Sequence, residues 1–282
     1  MFRLIAAERA VYPVRVLCRA LGVSASGFYA AHGRPPSPRA QLDTTLRQRL
    51  RVEAAAARHT YGSPRLHRCL QAAGHAVGRK RVIRLMRAEG LHARRRRRFR
   101  RTTQSAHDQP IAPNHLARGF RVQRPNQVWA ADLTYLETAE GWLYLAVVLD
   151  LYARRIVGWA TRATLATELP LAALQMALVQ RRPAGGGLHH SDRGLQYASA
   201  AYRAVLARHG WRASMSGTGN CYDNAVVESF FGSLKRDLDV DQWPSRDAAH
   251  AAVRDYIERF YNPVRLHSTL HYQSPVSFEA QV

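Results

Sequence analysis

The chain has 282 residues, 46% apolar and 22% charged, enough for one sizeable core and one or two small modules. Its 42 Lys and Arg against 20 Asp and Glu give a net charge of +22, which points to a polyanion and first to nucleic acid. Three scattered cysteines without a C-x-x-C pair argue against a disulfide framework or a zinc ribbon, and no apolar run approaches the ~20 residues of a membrane span or forms a signal peptide, so a reduced cytoplasmic setting with no membrane partner is expected.

The charge is unevenly placed: 27 of the 42 basic but only 5 of the 20 acidic residues precede Pro125, and the remainder is balanced. Residues 1–32 read as a short helical unit. Val16, Leu17, Ala20 and Leu21 suggest one apolar helix face, Gly22 a stop, and Ser24 a cap for a second helix at residues 25–30. That is the outline of a helix-turn-helix, and equally of a plain helical hairpin. A Pro-rich link at residues 33–38 leads to a second module at residues 40–92, basic and helical. There a helix at 42–58 precedes one that Ser63 is expected to cap, starting at Pro64 and ending at Gly74.

The next helix, residues 79–89, is apolar at Val82, Ile83, Leu85 and Met86 and basic at Arg79, Lys80, Arg81, Arg84 and Arg87. A basic second helix after a tight turn suits a DNA major groove, with its cations on phosphates, in preference to a merely solvated face. Residues 93–124 read as an Arg-rich linker. In it Arg94, Arg95, Arg96, Arg97 and Arg98 repel one another and stay extended until they meet phosphate.

From residue 125 to 282 the pattern is α/β. Residues 127–137, 143–152 and 155–162 form three β-rich runs with turns between them, a meander. A helix at 167–181 carries a stripe of Leu171, Leu174 and Leu178. A strand at 188–191, a helix at 198–209, a strand at 211–215 and helices at 224–238 and 246–261 follow. Three antiparallel strands and then alternating helices and strands give a ribonuclease-H-like mixed five-stranded sheet with flanking helices, preceded by small all-α helix-turn-helix-type modules.

Four carboxylates stand out in this half. Asp132 lies mid-strand among apolar neighbours, where a carboxylate is costly unless paired, hydrogen-bonded or on a metal. Asp150 is a candidate by position in the next strand. Asp192 follows a strand end, where sites form in open α/β sheets, and Glu228 sits on a helix beside Val226, Val227, Phe230 and Phe231. Taken singly each is compatible with a surface charge or a core hydrogen bond. Together, on separate elements of a basic protein, they suit Mg²⁺, which takes hard oxygen ligands and leaves room for substrate phosphate.

The strings WAADLTY at 129–135, HHSDRG at 189–194 and GNCYDNAVVESFF at 219–231 resemble the catalytic core of bacterial insertion-sequence transposases. The resemblance is to the second-reading-frame product of the two-frame group, whose core shares the retroviral integrase fold. It extends to YPVRVLCRALGVSASGFY at 12–29, to residues 61–91 and to NPVRLHSTLHYQSP at 262–275, and 35 residues separate Asp192 from Glu228, as in the Asp-Asp-35-Glu signature.

The resemblance implies that Asp132, Asp192 and Glu228 are catalytic metal ligands for Mg²⁺, with Mn²⁺ as a substitute. It makes Asp150 structural and Lys235, seven residues after Glu228, a DNA contact beside the site. It implies double-stranded DNA partners (element ends and target), a homo-oligomer on DNA, an upstream-frame partner or fusion, and a nucleoid-associated location. The activity implied is metal-dependent strand cleavage and strand transfer. A nuclease of the same fold and a repressor of transposition without catalytic activity are the alternatives. The basic module and the spacing favour transposition over the nuclease, and an intact acidic triad argues against the repressor. Ala131, where many members carry a hydroxyl residue, and His271, where a glycine is usual, depart from the pattern without removing a ligand.

Overall fold

The computed structural model describes residues 1–93, 110–217 and 224–282, which divide into two compact units, Met1–Arg51 and Val52–Val282. The first unit holds α1 (Phe2–Glu8), α2 (Val14–Ala20) and α3 (Ala25–Gly33) around buried Ile5, Cys18 and Phe28. Gly22 turns the chain at φ +65°, and the Ser24 hydroxyl accepts the Gly27 N–H at 2.9 Å, so the stop and the cap fall where the sequence puts them. The apolar face does not. Val16 is exposed at 55% and Ala20 is exposed too, whereas Val14, Leu17 and Leu21 flank Cys18. The spacing i, i+3, i+4, i+7 follows the helix period, and adjacent pairs do not. Helix α1 had no sequence signal of its own.

Helix α4 (Pro38–Ala56) spans the division between the units. In the second unit α5 (Ser63–Ala72) buries Leu66 and Leu70, and α6 (Arg79–Ala88) buries Val82, Leu85 and Met86. Ser63 is not the cap expected of it: Gly62 holds the N-cap position and Ser63 is the first helical residue. Pro64 still falls in the first turn, where its missing N–H costs nothing.

The sheet comprises β1 (Val128–Thr138), β2 (Gly141–Asp150), β3 (Arg155–Arg162), β4 (Leu188–Ser191) and β5 (Arg212–Met215), in the order β3-β2-β1-β4-β5. β1, β2 and β3 form the antiparallel meander, and β4 and β5 join parallel to β1. Helix α7 (Glu168–Arg181) packs on β2 and β3, and Gly158 makes that close: a Cβ there would stand 2.8 Å from Ala177 Cβ. Its buried stripe is Leu169, Ala173, Leu174, Ala177 and Leu178, while Leu171, expected in it, is only half-buried. Trp129 and Trp211, with ring centroids 4.1 Å apart, join β1 to the start of β5 in the same core.

The helix expected at 198–209 is two, α8 (Leu195–Ala198) and α9 (Ala200–Arg208). Ser199 breaks the run with an extended backbone and caps α9 by accepting the Tyr202 N–H. After α10 (Ala225–Leu238), helix α11 (Arg246–Asp255) widens into a π-helical segment, Tyr256–Tyr261, where one α-helix was expected. A final helix, α12 (Pro275–Glu279), returns Glu279 to Arg155 and Arg181 on the sheet side. His271 adopts φ +53°, a left-handed conformation that explains a glycine at such a position. Among the described residues no helix is long and apolar enough to cross a membrane.

Candidate active site

Parallel pairing sets the site. β4 is four residues long and pairs with β1 only through Val128 to Leu188, Trp129 to His189 and Ala130 to His190. Asp132 and Asp192 each lie two residues beyond the last pair, so the register brings both residues past the same end of the β1–β4 ladder, Asp132 still within β1 and Asp192 just past β4. Asp192 is held by a tight turn in which the Gly194 N–H donates to its Oδ1 at 2.9 Å. A Cβ on Gly194 would stand 2.9 Å from that oxygen, closer than side chains tolerate.

Because β4 stops early, that edge of β1 beyond Ala130 has, among the described residues, no further strand ladder, only a bridge from Thr138 to Trp243, and α10 lies against it. Asn224, buried at the head of α10, donates its Nδ2 to the Ala131 carbonyl at 3.2 Å. Its side chain therefore tethers helix to strand and does not cap the helix. One turn on stands exposed Glu228, in the first turn of α10, where the helix dipole favours a carboxylate. Lys235 follows two turns later on nearly the same side, seven residues being about 20° short of two full turns. Its Nζ lies 4.9 Å from the centroid of the Tyr135 ring on β1, and burial lowers its pKa below the usual lysine value.

The electrostatics centre on Asp132. Its backbone stretch is apolar on both sides, with Trp129, Ala130 and Ala131 all buried, and the residue itself is half-buried. Burial raises its carboxyl well above the usual carboxylate range, Asp192 and Glu228 raise it further, and the Leu133 N–H at 2.8 Å works the other way. The three carboxylates thus share one electrostatic environment. As the side chains stand, no three His, Cys, Asp or Glu among the described residues lie close enough together to hold a metal ion.

Asp150 has a different setting. Nearly fully buried beside Trp129 at the far end of β2, it accepts the N–H groups of Asn126 at 2.8 Å and Tyr152 at 2.9 Å, with Arg181 at 3.7 Å. Its bonds are to its own scaffold, and it does not act on Asp132. His190 is a packed strand histidine whose ring nitrogens meet Ser214 at 2.9 Å and Ser216 at 3.2 Å. On α6, Arg79, Lys80 and Arg84 are exposed and Arg81 is half-buried. Arg94, Arg95, Arg96, Arg97 and Arg98 lie outside the described residues. Sequence reasoning missed Gly194 and Tyr135 and the tether made by Asn224. The one available signal was the S-D-R-G string, since a glycine two residues after an aspartate permits such a turn.

Three family models match: an HTH-like domain over residues 41–99 and two models described as Integrase core domain, over residues 122–221 and 209–275. The insertion element IS600 uncharacterized 31 kDa protein of Shigella sonnei is 46% identical over 263 residues, covering 93% of this chain and 97% of that protein. The transposase InsF for insertion sequence IS3A of Escherichia coli (strain K12) is 40% identical over 279 residues, covering 96% of each chain. Among solved structures, a chain of the simian T-cell lymphotropic virus intasome in complex with a PP2A regulatory subunit is 15% identical with a TM-score of 0.47, covering 73% of this chain and 68% of that one. The HTLV-2 integrase catalytic core domain in complex with magnesium is 16% identical with a TM-score of 0.43, covering 56% of this chain and 99% of that one.

Proposed function

The chain belongs to the IS3-family insertion-sequence transposases, and on that footing we propose that it is a DNA transposase whose catalytic metal ligands are Asp132, Asp192 and Glu228. The observation that supports the reading is that Asp132, inside a central strand, Asp192, just past the end of the adjacent one, and Glu228, on a helix, are near enough for the last two to raise the carboxyl of the first. The cluster fits a hard divalent cation by its donors: all are carboxylate oxygens, and Asp132 carries a desolvation cost and two like-charged neighbours that a cation would offset. Mg²⁺, with Mn²⁺ as a substitute, supplies Lewis-acid charge to the attacking and leaving oxygens of a phosphodiester when bound.

The chain's own groups do the rest. Asp132 and Asp192 form the rigid side of the site, one on a central strand and one in a turn held by Gly194, and Glu228 closes it from the helix. Lys235 would meet DNA phosphate beside the site, its ammonium over the Tyr135 ring and its charge less well solvated than a surface lysine's. Arg79, Lys80, Arg81 and Arg84 on α6, and Arg94 to Arg98 beyond it, supply phosphate contacts along the duplex. The functional division follows: a helical segment at 1–32, a DNA-binding module at 40–92, an Arg-rich linker at 93–124 and the catalytic core at 125–282. Water hydrolyses a phosphodiester at the element's end, leaving a 3′-hydroxyl and a 5′-phosphate, and that hydroxyl then attacks a second phosphodiester and displaces its 3′-oxygen as a new 3′-hydroxyl, so no covalent protein–DNA bond is needed. Two ends joined in one event call for more than one copy on DNA, and an upstream-frame product is the natural further partner.

The test is incubation of the full chain with duplexes carrying its element's termini plus Mg²⁺, scoring cleavage and joining separately. Both products are expected. Cleavage without joining would turn the reading into that of a nuclease, and binding without either into that of a repressor.

A further inference from the structure

The string NPVRLHSTLHYQSP at 262–275 has no part in the chemistry above, yet it contains some of the most enclosed polar contacts in the protein. Arg265, 3% exposed, donates through Nε to Asp237 Oδ2 at 2.9 Å and through Nη2 to Ser233 Oγ at 3.1 Å. Asp237, 4% exposed, also accepts from the Tyr256 hydroxyl at 2.9 Å and from Arg236 Nε at 3.0 Å. Ser233 and Asp237 are both on α10, five and nine residues after Glu228.

The same short segment grips two other parts. Asn262 forms a pair of hydrogen bonds with the backbone of Ile156 on β3, donating to its carbonyl at 2.9 Å and accepting its N–H at 3.0 Å. On the other side, the Leu266 carbonyl accepts from Arg65 Nε at 2.7 Å, and the Leu266 N–H donates to the Tyr61 hydroxyl at 2.7 Å. Arg58 pairs with Asp255 at 2.7 Å and lies over the Phe260 ring. Residues 262–266 thus join the sheet, the helix bearing Glu228 and the start of the helical module.

Helix α10 needs an anchor of this kind. It has no side-chain cap, its head is tied to β1 through Asn224, and its middle rests on the π-helical segment through Phe230 and Tyr261, 4.7 Å apart. Asn224 ties the head and Phe230 packs the middle; the two-donor guanidinium, beside the Tyr256 hydroxyl on Asp237, fixes the far end against rotation. A planar fork can reach both Ser233 and Asp237, whereas an ammonium is a single point.

We propose that Arg265 is a positioning residue for strand cleavage and joining: by holding Ser233 and Asp237 it sets the rotation of α10, and with it the placement of Glu228 and Lys235, on the segment that seats the DNA-binding module. The proposal rests on the reading of Glu228 as a metal ligand. It makes no contact between Arg265 and DNA or metal.

The test uses the full chain with Arg265→Lys, Arg265→Ala, Ser233→Ala and, as control, Glu228→Gln. Four quantities are measured: single-turnover cleavage at saturating duplex, the DNA concentration for half-saturation, hydrogen exchange of the α10 amides, and the Mg²⁺ concentration that half-maximally raises the melting temperature. Arg265→Ala should lower cleavage per folded molecule by about 10²-fold, the scale of a ~1 Å misplacement. Half-saturation by DNA should hold, α10 exchange should quicken and the Mg²⁺ requirement should rise. Lysine should rescue part of the loss, and Ser233→Ala should produce a smaller loss in the same direction. If Arg265→Ala does not fold, Arg265→Lys and Ser233→Ala decide. Wild-type cleavage per folded molecule in either, or a loss that only tracks the folded fraction, overturns the proposal. An active Glu228→Gln control would instead sink the metal-ligand reading beneath it.

Discussion

Asp132 and Asp192 stand at equal offsets, two residues each, beyond Ala130 and His190, the last pair of the parallel β1–β4 ladder. Neighbouring parallel strands run in step, so equal offsets bring the two residues to a similar level of the sheet although they are sixty positions apart in the chain. Their proximity costs free energy in the absence of a cation, and that cost is the most direct handle on the site.

The first prediction concerns the acidic residues themselves. Asp132→Asn, Asp192→Asn and Glu228→Gln keep shape and remove a negative ligand. Each should depress cleavage and joining by roughly 10³–10⁴-fold, and the double variants should lose little more, because the ligands act as one unit. Duplex binding should survive or tighten, since one source of repulsion towards phosphate is gone. A gel-based cleavage assay beside a binding titration checks this; near-normal cleavage by any one variant would remove that residue from the site.

The second follows from the raised pKa of Asp132, whose causes in order are burial, Asp192 and Glu228. A carboxyl with a folded-state pKa above its unfolded value binds its proton more tightly when folded. Its stabilising contribution is full below the unfolded pKa, about 3.9, and is lost as pH rises through the folded pKa. Without divalent metal, wild-type should therefore lose melting temperature relative to Asp132→Asn as pH climbs from about 4 towards neutrality. Added Mg²⁺ should narrow the gap at neutral pH. Parallel melting curves for the two proteins would refute the assignment.

Gly194 supplies a third. A methyl group there would meet Asp192 Oδ1 at 2.9 Å, and the carboxyl is the part that can move. Gly194→Ala should fold and bind DNA normally while metal-dependent cleavage drops by about 10–10²-fold, as expected of a displaced ligand. Full activity would mean that the turn does not set the carboxylate's position.

The fourth tests the module. Arg79, Lys80 and Arg87 are exposed on α6, which buries Val82, Leu85 and Met86. Changing each to Ala should weaken duplex binding with little sequence preference. Every phosphate that the variant no longer neutralises should flatten the log–log salt dependence by about 0.9. An unchanged slope in the triple variant would take this helix off the DNA.

Much of this protein is legible along the chain because much of it is local. The three long strands follow from runs of apolar and β-branched residues, and α10 from its apolar spacing. Basic α6 and the turns at Gly22, Gly74 and Gly90 follow from residue type alone, all three glycines adopting positive φ. The proposed ligands Asp132, Asp192 and Glu228 are singled out by their strings and by the 35 residues between the last two. Where local signals were weak the reading slipped. The face of α2 was drawn through exposed Val16 and Ala20, because an apolar residue names no partner until the helix has something to pack on. The break at Ser199 and the π-helical turn at Tyr256–Tyr261 were likewise hidden, the first in a serine that caps as well as it continues, the second in aromatic packing against α10.

Tertiary structure alone decided the register and the anchors. Nothing in the sequence sets Asp132 two residues past a ladder whose other strand begins at Leu188, or leaves the edge of β1 open for Asn224 to reach the Ala131 carbonyl. Asp150 and Asp132 are both aspartates in apolar strands, yet one has its bonds from Asn126 and Tyr152 and the other has two carboxylates for neighbours. Arg265 reads as one more cation in a basic chain until Asp237 and Ser233 surround it. A residue's chemistry is written in its side chain, but its pKa, its partners and its role depend on groups far away in sequence, and only the packed chain brings those groups within reach.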